Sequence, residues 1–234
     1  MADSSAMSPT GKRARPALPP WPASGAPRQA AATADRLLES AHALLYERAG
    51  SDVPVAEICA HAAANVAMVK YCFGNKDGLF DALLERIVSV LVADVERLDR
   101  QDLPPDEKLA RHLRAVVRNY VRFPYLNRLL NQRLLSGHDE AVERLSRSFA
   151  LPMRRWYASV LAEGQEAGTF REVDPTFFFF SVLGAAEYMF SARRWMERAF
   201  EEQIDEELLE RFTGHLTQLV LTGIQPGTST ASAP

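Results

Sequence analysis

The chain has 234 residues, enough for one large helical domain plus a small appended one. Hydrophobic residues make up 47% and charged residues 24%, the balance of a soluble globular protein rather than of a disordered or membrane-embedded one. The formal net charge of -3 excludes a polycation, so any nucleic-acid binding has to come from a local basic surface.

Residues 1–32 are rich in Ala, Pro and Ser and carry Lys12, Arg13, Arg15 and Arg28 against the single acid Asp3. Such a segment cannot bury a core, and it is expected to be a disordered basic arm, either a solvated tail or a strand of charge that follows a DNA groove. From Thr33 onward apolar residues recur at three- and four-residue spacing, and strand-like alternation is scarce. The fold class is therefore all-α. Thr33 suits the cap of a first helix over 33–48, whose buried stripe is Leu37, Leu38, Ala41, Leu44 and Leu45. Gly50, Ser51 and Asp52 break the chain, and Pro54 suits the first turn of a second helix that carries Val55, Ile58, Cys59 and Ala62. Asn65 suits the cap of a short third helix over 66–72, which Phe73-Gly74-Asn75 ends with Gly74 in the left-handed position. A fourth helix covers 76–100.

The same punctuation continues. Leu103-Pro104-Pro105-Asp106 precedes a helix to Phe123, and Pro124 restarts one to Ser136. Gly137-His138-Asp139 opens a long helix to Gly168, and Asp174-Pro175 opens another to Phe200. The last predicted helix spans 204–222, before a tail rich in Gly, Pro, Ser and Thr. The expected organisation is a basic arm (1–32), a three-helix helix-turn-helix unit (33–78), a six-helix C-terminal domain (79–222) and a disordered tail (223–234).

Several function classes drop out. The two cysteines, Cys59 and Cys72, fall in one apolar helical region with no secretory-type leader before them, which predicts a reducing cytoplasm rather than a disulfide framework. They read as small core residues, with a thiol redox switch as the sharper alternative. The most apolar stretch, 177–190, is interrupted by Glu187 and falls short of the ~18 residues a membrane span needs. His42, His61, His112, His138 and His215 are scattered, and no Gly-rich phosphate loop or nucleophile elbow is present. An enzyme, a metal site and a cofactor are not expected.

The stretch 37–83 resembles the DNA-binding domain of the tetracycline-repressor (TetR) family without a gap. Leu37-Leu38-Glu39-Ser40-Ala41 is similar to that family's opening "ILEAA", and Val55-Ala56-Glu57-Ile58-Cys59 stands where a "VRDIA"-like second helix is usual. Val69-Lys70-Tyr71-Cys72-Phe73-Gly74-Asn75-Lys76-Asp77-Gly78-Leu79 is similar to "LYYHFGSKEGL" and is the most specific part. A looser likeness runs through Phe123-Pro124-Tyr125-Leu126, Glu163-Gly164, Gly168-Thr169-Phe170-Arg171 and Asp174-Pro175, so that it covers about 33–222. The resemblance implies a dimeric regulator that binds palindromic operator DNA through Thr33, Asn65, Val66, Ala67, Lys70, Tyr71 and Lys76. Lys76, at a helix N-terminus, calls for an anion nearby, and a DNA phosphate is the expected partner.

The departures bear on readout. Ala63 stands where the family's turn has glycine, Val53 and Pro54 where threonine is frequent, Met68 where threonine is common and Lys70 where tyrosine is common. The start of the recognition helix, Asn65-Val66-Ala67-Met68, is poor in hydrogen-bonding groups. That feature also supports the alternative, a protein-binding adaptor or co-activator with weak or no specific DNA binding.

For the C-terminal domain the resemblance implies a ligand pocket and a four-helix bundle with a second subunit. The helix after Asp174 is apolar almost all round, and Ile204, Leu208, Leu209, Phe212, Leu216, Leu219 and Val220 form a stripe on the last one. Phe179, Leu183 and Leu216 are candidates for the dimer seam. Tyr125, Arg128, Asn131, Gln132 and Phe149 are candidates for the pocket, as are Met153, Trp156, Tyr157, Phe178 and Tyr188. A small, largely apolar effector that releases the operator is expected, with the fourth helix as lever.

Overall fold

A computed structural model describes Arg15, residues 17–19, 28–48, 52–135 and 139–227. Lys12, Arg13, Gly50, Ser51, Gly137, His138 and tail residues 228–234 lie outside these, as does the side chain of Arg28. All regular structure among the described residues is helical. The elements are α1 (Arg28–Glu47), α2 (Val55–His61), α3 (Val66–Phe73), α4 (Lys76–Asp99), α5 (Pro105–Arg122) and α6 (Leu126–Leu135). They continue with α7 (Asp139–Leu145), a π-helical turn (Ser146–Ala150), α8 (Leu151–Glu166), α9 (Pro175–Ser191), α10 (Arg193–Ala199) and α11 (Glu206–Ile224). No helix among the described residues is long and apolar enough to cross a membrane.

Local chemistry accounts for most boundaries. Asn65 caps α3, Asn75 caps α4, and the Asp174 carboxylate accepts from the backbone N–H of Thr176 (2.7 Å) and Phe177 (3.1 Å) at the start of α9. Those two bonds hold the Asp174 carboxyl below its usual range. Gly74 ends α3 at φ 79°, and Gly78 lets α4 begin against α3, because a Cβ there would lie 2.0 Å from the Phe73 carbonyl oxygen.

Five boundaries differ from the sequence reading. α1 begins at Arg28, so 28–32 are helical, and Thr33 sits inside the helix rather than capping it. Its hydroxyl donates to the Gln29 carbonyl at 3.0 Å, the back-bonding a hydroxyl makes within a helix. The predicted helix 139–168 is interrupted by the π-helical turn, and the predicted helix 175–200 breaks at Ala192. The helix expected to restart at Pro124 begins at Leu126, and the last begins at Glu206, where Asp205 accepts from the Leu208 N–H at 2.9 Å.

Two apolar cores result. The first gathers Leu37, Leu38 and Leu45 of α1, Ile58 of α2 and Val69 of α3 against Leu79, Leu83 and Ile87 of α4. Phe123, Tyr125, Leu126 and Leu129, from the α5–α6 joint, enter the same core. Leu18 is buried there too, and the Pro19 carbonyl accepts from Arg86 of α4, so the segment expected to bury nothing contributes to packing at 17–19. The second core joins Val95 of α4 and Leu109 and Leu113 of α5 to Trp156, Tyr157 and Val160 of α8 and Phe178, Phe179 and Val182 of α9. α5 packs against α4, α8, α9 and α11.

The α2–α3 turn carries a local cost. Ala63 adopts φ 48°, the left-handed region that L side chains other than glycine disfavour, and its side chain is exposed. Ala63→Gly removes that cost and loses no packing. It is expected to raise stability by roughly 0.5–1 kcal/mol and Tm by about 2 °C. Thermal denaturation checks this, and a lower Tm would contradict the strain.

Candidate nucleic-acid interface and internal cavity

The third helix has one inward and one outward side. Val69 is buried and Met68 and Phe73 pack partly against the first core, which turns Val66, Ala67, Lys70 and Tyr71 outward. Val66 is 53% and Tyr71 67% exposed, large values for residues this apolar. Asn65 completes the surface, although its Oδ1 already accepts from the Ala67 N–H at 2.9 Å. Five of the seven predicted DNA-contacting residues therefore share one surface: Asn65, Val66, Ala67, Lys70 and Tyr71.

The other two stand elsewhere. Thr33 is buried, and its hydroxyl also accepts from Arg36 at 3.2 Å, so it is not on the outer face. Lys76 does have the anion its position calls for, but it is the Asp52 carboxylate at 2.8 Å, and the ammonium also lies 5.5 Å from the centre of the Phe80 ring. Lys76 holds the Asp52 carboxyl below its usual range, and Arg128 adds to this from 3.5 Å. Arg48 likewise pairs with Glu57. Burial pushes the Cys59 and Cys72 thiols up, away from the reactive thiolate.

Between α4, α5, α6, α8 and α9 lies an apolar cavity of about 80 Å³. α4 contributes Leu91, Asp94, Val95 and Leu98, and α6 contributes Leu126 and Leu130. Phe149 enters from the π-helical turn, and Met153, Tyr157, Phe179, Val182 and Leu183 close the far side. The polar groups on the wall come mainly from α5: His112, Asn119 and Tyr120.

Of the ten residues predicted for a pocket, Phe149, Met153 and Tyr157 line this cavity. Phe178 and Trp156 lie behind the wall. The Phe178 ring meets Tyr157 edge-on at 5.0 Å, and Trp156 packs on His112 at 4.7 Å while its indole N–H donates to Asp99 at 3.0 Å. Tyr125 belongs to the first core, where its hydroxyl hydrogen-bonds His42 Nδ1. Arg128 and Asn131 line a separate depression open to solvent, and the Asn131 amide donates to Glu187 at 2.7 Å. Gln132 is exposed, and Tyr188 is 60% exposed beside Trp195. The sequence reading missed His112, Asn119 and Tyr120. A signal existed, since Leu109, His112, Leu113, Val117 and Tyr120 all fall on the buried stripe of α5.

The seam candidates also sort differently. Phe179 and Leu183 face the cavity, and Leu216 is buried within the protomer. On α9 the apolar side chains Phe177, Phe180 and Tyr188 are exposed at helical spacing along one face, and on α11 Leu219 is exposed.

Comparison with known proteins adds to this geometry. The family described as "Tetracyclin repressor-like, C-terminal domain" matches residues 102–229. No curated protein matches the chain. Among solved structures, the TetR-family transcriptional regulator PfmR from Thermus thermophilus is similar over 82% of this chain and 100% of its own, with 23% identity and a TM-score of 0.62. The fatty acid degradation regulator FadR from Bacillus halodurans is similar over 82% of this chain and 99% of its own, with 16% identity and a TM-score of 0.61. RolR in complex with resorcinol covers 88% of this chain and 96% of its own, with 20% identity and a TM-score of 0.53. At these identities the structures share the fold.

The cavity wall also has a titration signature. Burial pushes the His112 ring down to about 3, so it stays neutral when folded, whereas an unfolded chain takes up a proton near 6.5. The unfolded state then binds more protons between those values, so stability present above pH 6.5 is lost as pH falls toward 3. The slope approaches about 1.4 kcal/mol per pH unit. Chemical denaturation between about pH 6.5 and 5, above most carboxylate titrations, is expected to show this loss in the natural chain and a flatter profile in His112→Phe. Equal slopes in the two would contradict a neutral buried ring.

Proposed function

The chain belongs to the tetracycline-repressor-like family, and on that premise we propose that it is a dimeric transcriptional regulator. In this reading it represses from a palindromic operator and is released by a small, largely apolar effector. The observation that carries the reading is the outward face of α3, uncovered by any described element and joined by α4 to an apolar cavity. The N-terminal half of α3 enters the major groove, with Lys70 and Tyr71 near the phosphates and Val66 and Ala67 facing thymine methyl groups. The uncovered stripes on α9 and α11 meet their symmetry mates and set two α3 helices about 34–36 Å apart.

Release needs different effector affinity in two dimer arrangements. Two helices touch both the cavity and the DNA-binding unit. α4 runs from one to the other. α6 lines the cavity with Leu126 and Leu130, and its other contacts hold the unit: Arg128 to Asp52, and Arg133 to Asp77 (3.0 Å) and Asp81 (2.5 Å). The lever is thus α4 together with α6, and a coupling of about 1–3 kcal/mol changes operator affinity roughly 5- to 150-fold. The resorcinol complex of RolR supports a small-molecule effector.

A second reading, an adaptor that binds protein through the same face, is favoured by the exposed Val66. Retention of a palindromic fragment from the region upstream of the gene, resistant to competitor DNA, separates the two. Lys70→Ala is expected to weaken that binding and reduce the salt slope by about one, as a lost phosphate contact does. Lys76→Ala is expected to do less, because Asp52 already holds the ammonium. Anisotropy titrations across salt concentrations test the order, and an equal or larger loss in Lys76→Ala would reverse the assignment.

The dimer carries its own prediction. Phe180→Asp or Leu219→Asp places an unpaired charge in the seam, a cost of several kcal/mol. Sedimentation is expected to show a dimer for the natural chain and a shift toward monomer for both variants. A natural chain that sediments as a monomer at micromolar concentration would remove the seam.

A further inference from the structure

The cavity wall combines abundant hydrocarbon with one unusual polar pair. The Tyr157 hydroxyl and His112 Nε2 lie 2.7 Å apart, both side chains being almost fully buried. His112 Nδ1 has no hydrogen-bond partner, a state that costs free energy in a folded interior. The pair has two arrangements. If the tyrosine donates to Nε2, then Nδ1 carries a proton and needs an acceptor. If Nε2–H donates to the phenol oxygen, then Nδ1 needs a donor. A hydroxyl group is both donor and acceptor and satisfies either.

Charge narrows the choice further. Among the residues that line the cavity none is Lys or Arg, and the one formal charge is Asp94. Arg97 and Arg122 (3.3 Å) already pair with that carboxylate. The His112 ring is neutral, so an anionic ligand finds no counter-charge on the wall and would be buried unpaired. A cation finds only a carboxylate that two arginines have claimed.

Size sets the last limit. About 80 Å³ is roughly half of the ~150 Å³ that an apolar protein cavity has when it holds benzene. A compact single ring fits after modest opening, whereas a long acyl chain would need a much larger one. The opening has a place to occur, because Phe149 reaches the cavity from a π-helical turn, where the regular hydrogen-bond ladder is interrupted.

Resting on the effector reading above, we propose that this cavity takes a neutral, single-ring alcohol or phenol, anchored by its hydroxyl on the His112–Tyr157 pair, and rejects carboxylates. The anchor is a positioned hydrogen bond, and the remaining affinity comes from apolar contact with Leu91, Phe149, Met153 and Phe179.

Phenol, toluene and benzoate share a ring and differ in what it carries. Calorimetric titration of each into the full-length protein is expected to show phenol binding and benzoate binding on the order of 100-fold more weakly. Tyr157→Phe is expected to weaken phenol about tenfold and leave toluene unchanged. Imidazole 15N shifts of the natural chain give a readout that does not depend on the variant folding, and the His112 Nδ1 signal is expected to move with phenol and not with toluene. Benzoate binding as well as phenol would overturn the charge argument while the pocket reading stood. Equal loss of phenol and toluene in Tyr157→Phe, with an unmoved Nδ1 signal, would overturn the anchor. No binding by any of the three would overturn the proposal, whereas the effector reading would fall only if no apolar ligand of any class bound the cavity and weakened operator binding. Selective phenol binding that leaves operator affinity unchanged would uphold the ligand class and overturn release alone.

Discussion

Burial of α4 is the constraint on which the rest of the architecture depends. Its N-terminal half closes the core of the first three helices through Leu79, Leu83 and Ile87, and its C-terminal half supplies Val95 to the second core and Leu91 and Leu98 to the cavity. Interiors pack to near-crystalline density, so neither half can shift without disturbing its neighbours. A helix-turn-helix unit of this size has little core of its own. Here it borrows Phe123, Tyr125, Leu126 and Leu129 from the α5–α6 joint, which binds it to the C-terminal helices.

Polar contacts follow the same plan. Arg86 of α4 is buried beside Asp35 (3.6 Å) and Glu39 (3.3 Å) of α1, and Arg133 of α6 is buried beside Asp77 and Asp81 of α4. Arg144 of α7 reaches Asp81 (3.2 Å) and Glu85 (3.1 Å) from the surface. The buried arginines cost desolvation that their partners offset only with the helices in place. The hydrogen bond between Tyr125 and His42 adds a polar joint inside the first core, at the point where α6 begins.

Much of the DNA-binding half was legible because its signals are local. A cap, a glycine stop and a short apolar spacing depend on a few neighbouring residues, and Asn65 and Gly74 behave as those rules require. Thr33 was misread because a hydroxyl that caps in one frame back-bonds to the preceding turn in another, and only packing decides. The cavity was far less legible. Helical spacing shows that Tyr125, Trp156 and Phe178 are buried, but not which of two cores receives them or which side of a wall they occupy. An inserted turn such as Ser146–Ala150 shifts the phase of everything around it and leaves no mark in the apolar pattern. His112 was passed over because isolated histidines carry no motif, and its significance lies in a tyrosine 45 positions away.

The pairing of cations near α3 bears on how such a protein would search a genome. Lys76 and Arg48 are held by carboxylates of the same chain, and Lys70 stands outward on the helix itself. Sequence-independent affinity for DNA scales with the number of phosphates neutralised, and a chromosome offers on the order of a million or more competing sites. Among the described residues, the face of α3 carries little unpaired positive charge, which would lower occupancy of that bulk. Under the proposed function, fewer copies would then be sequestered on irrelevant sequence, and a small cellular pool would suffice to keep one operator filled and to answer quickly when it must be vacated.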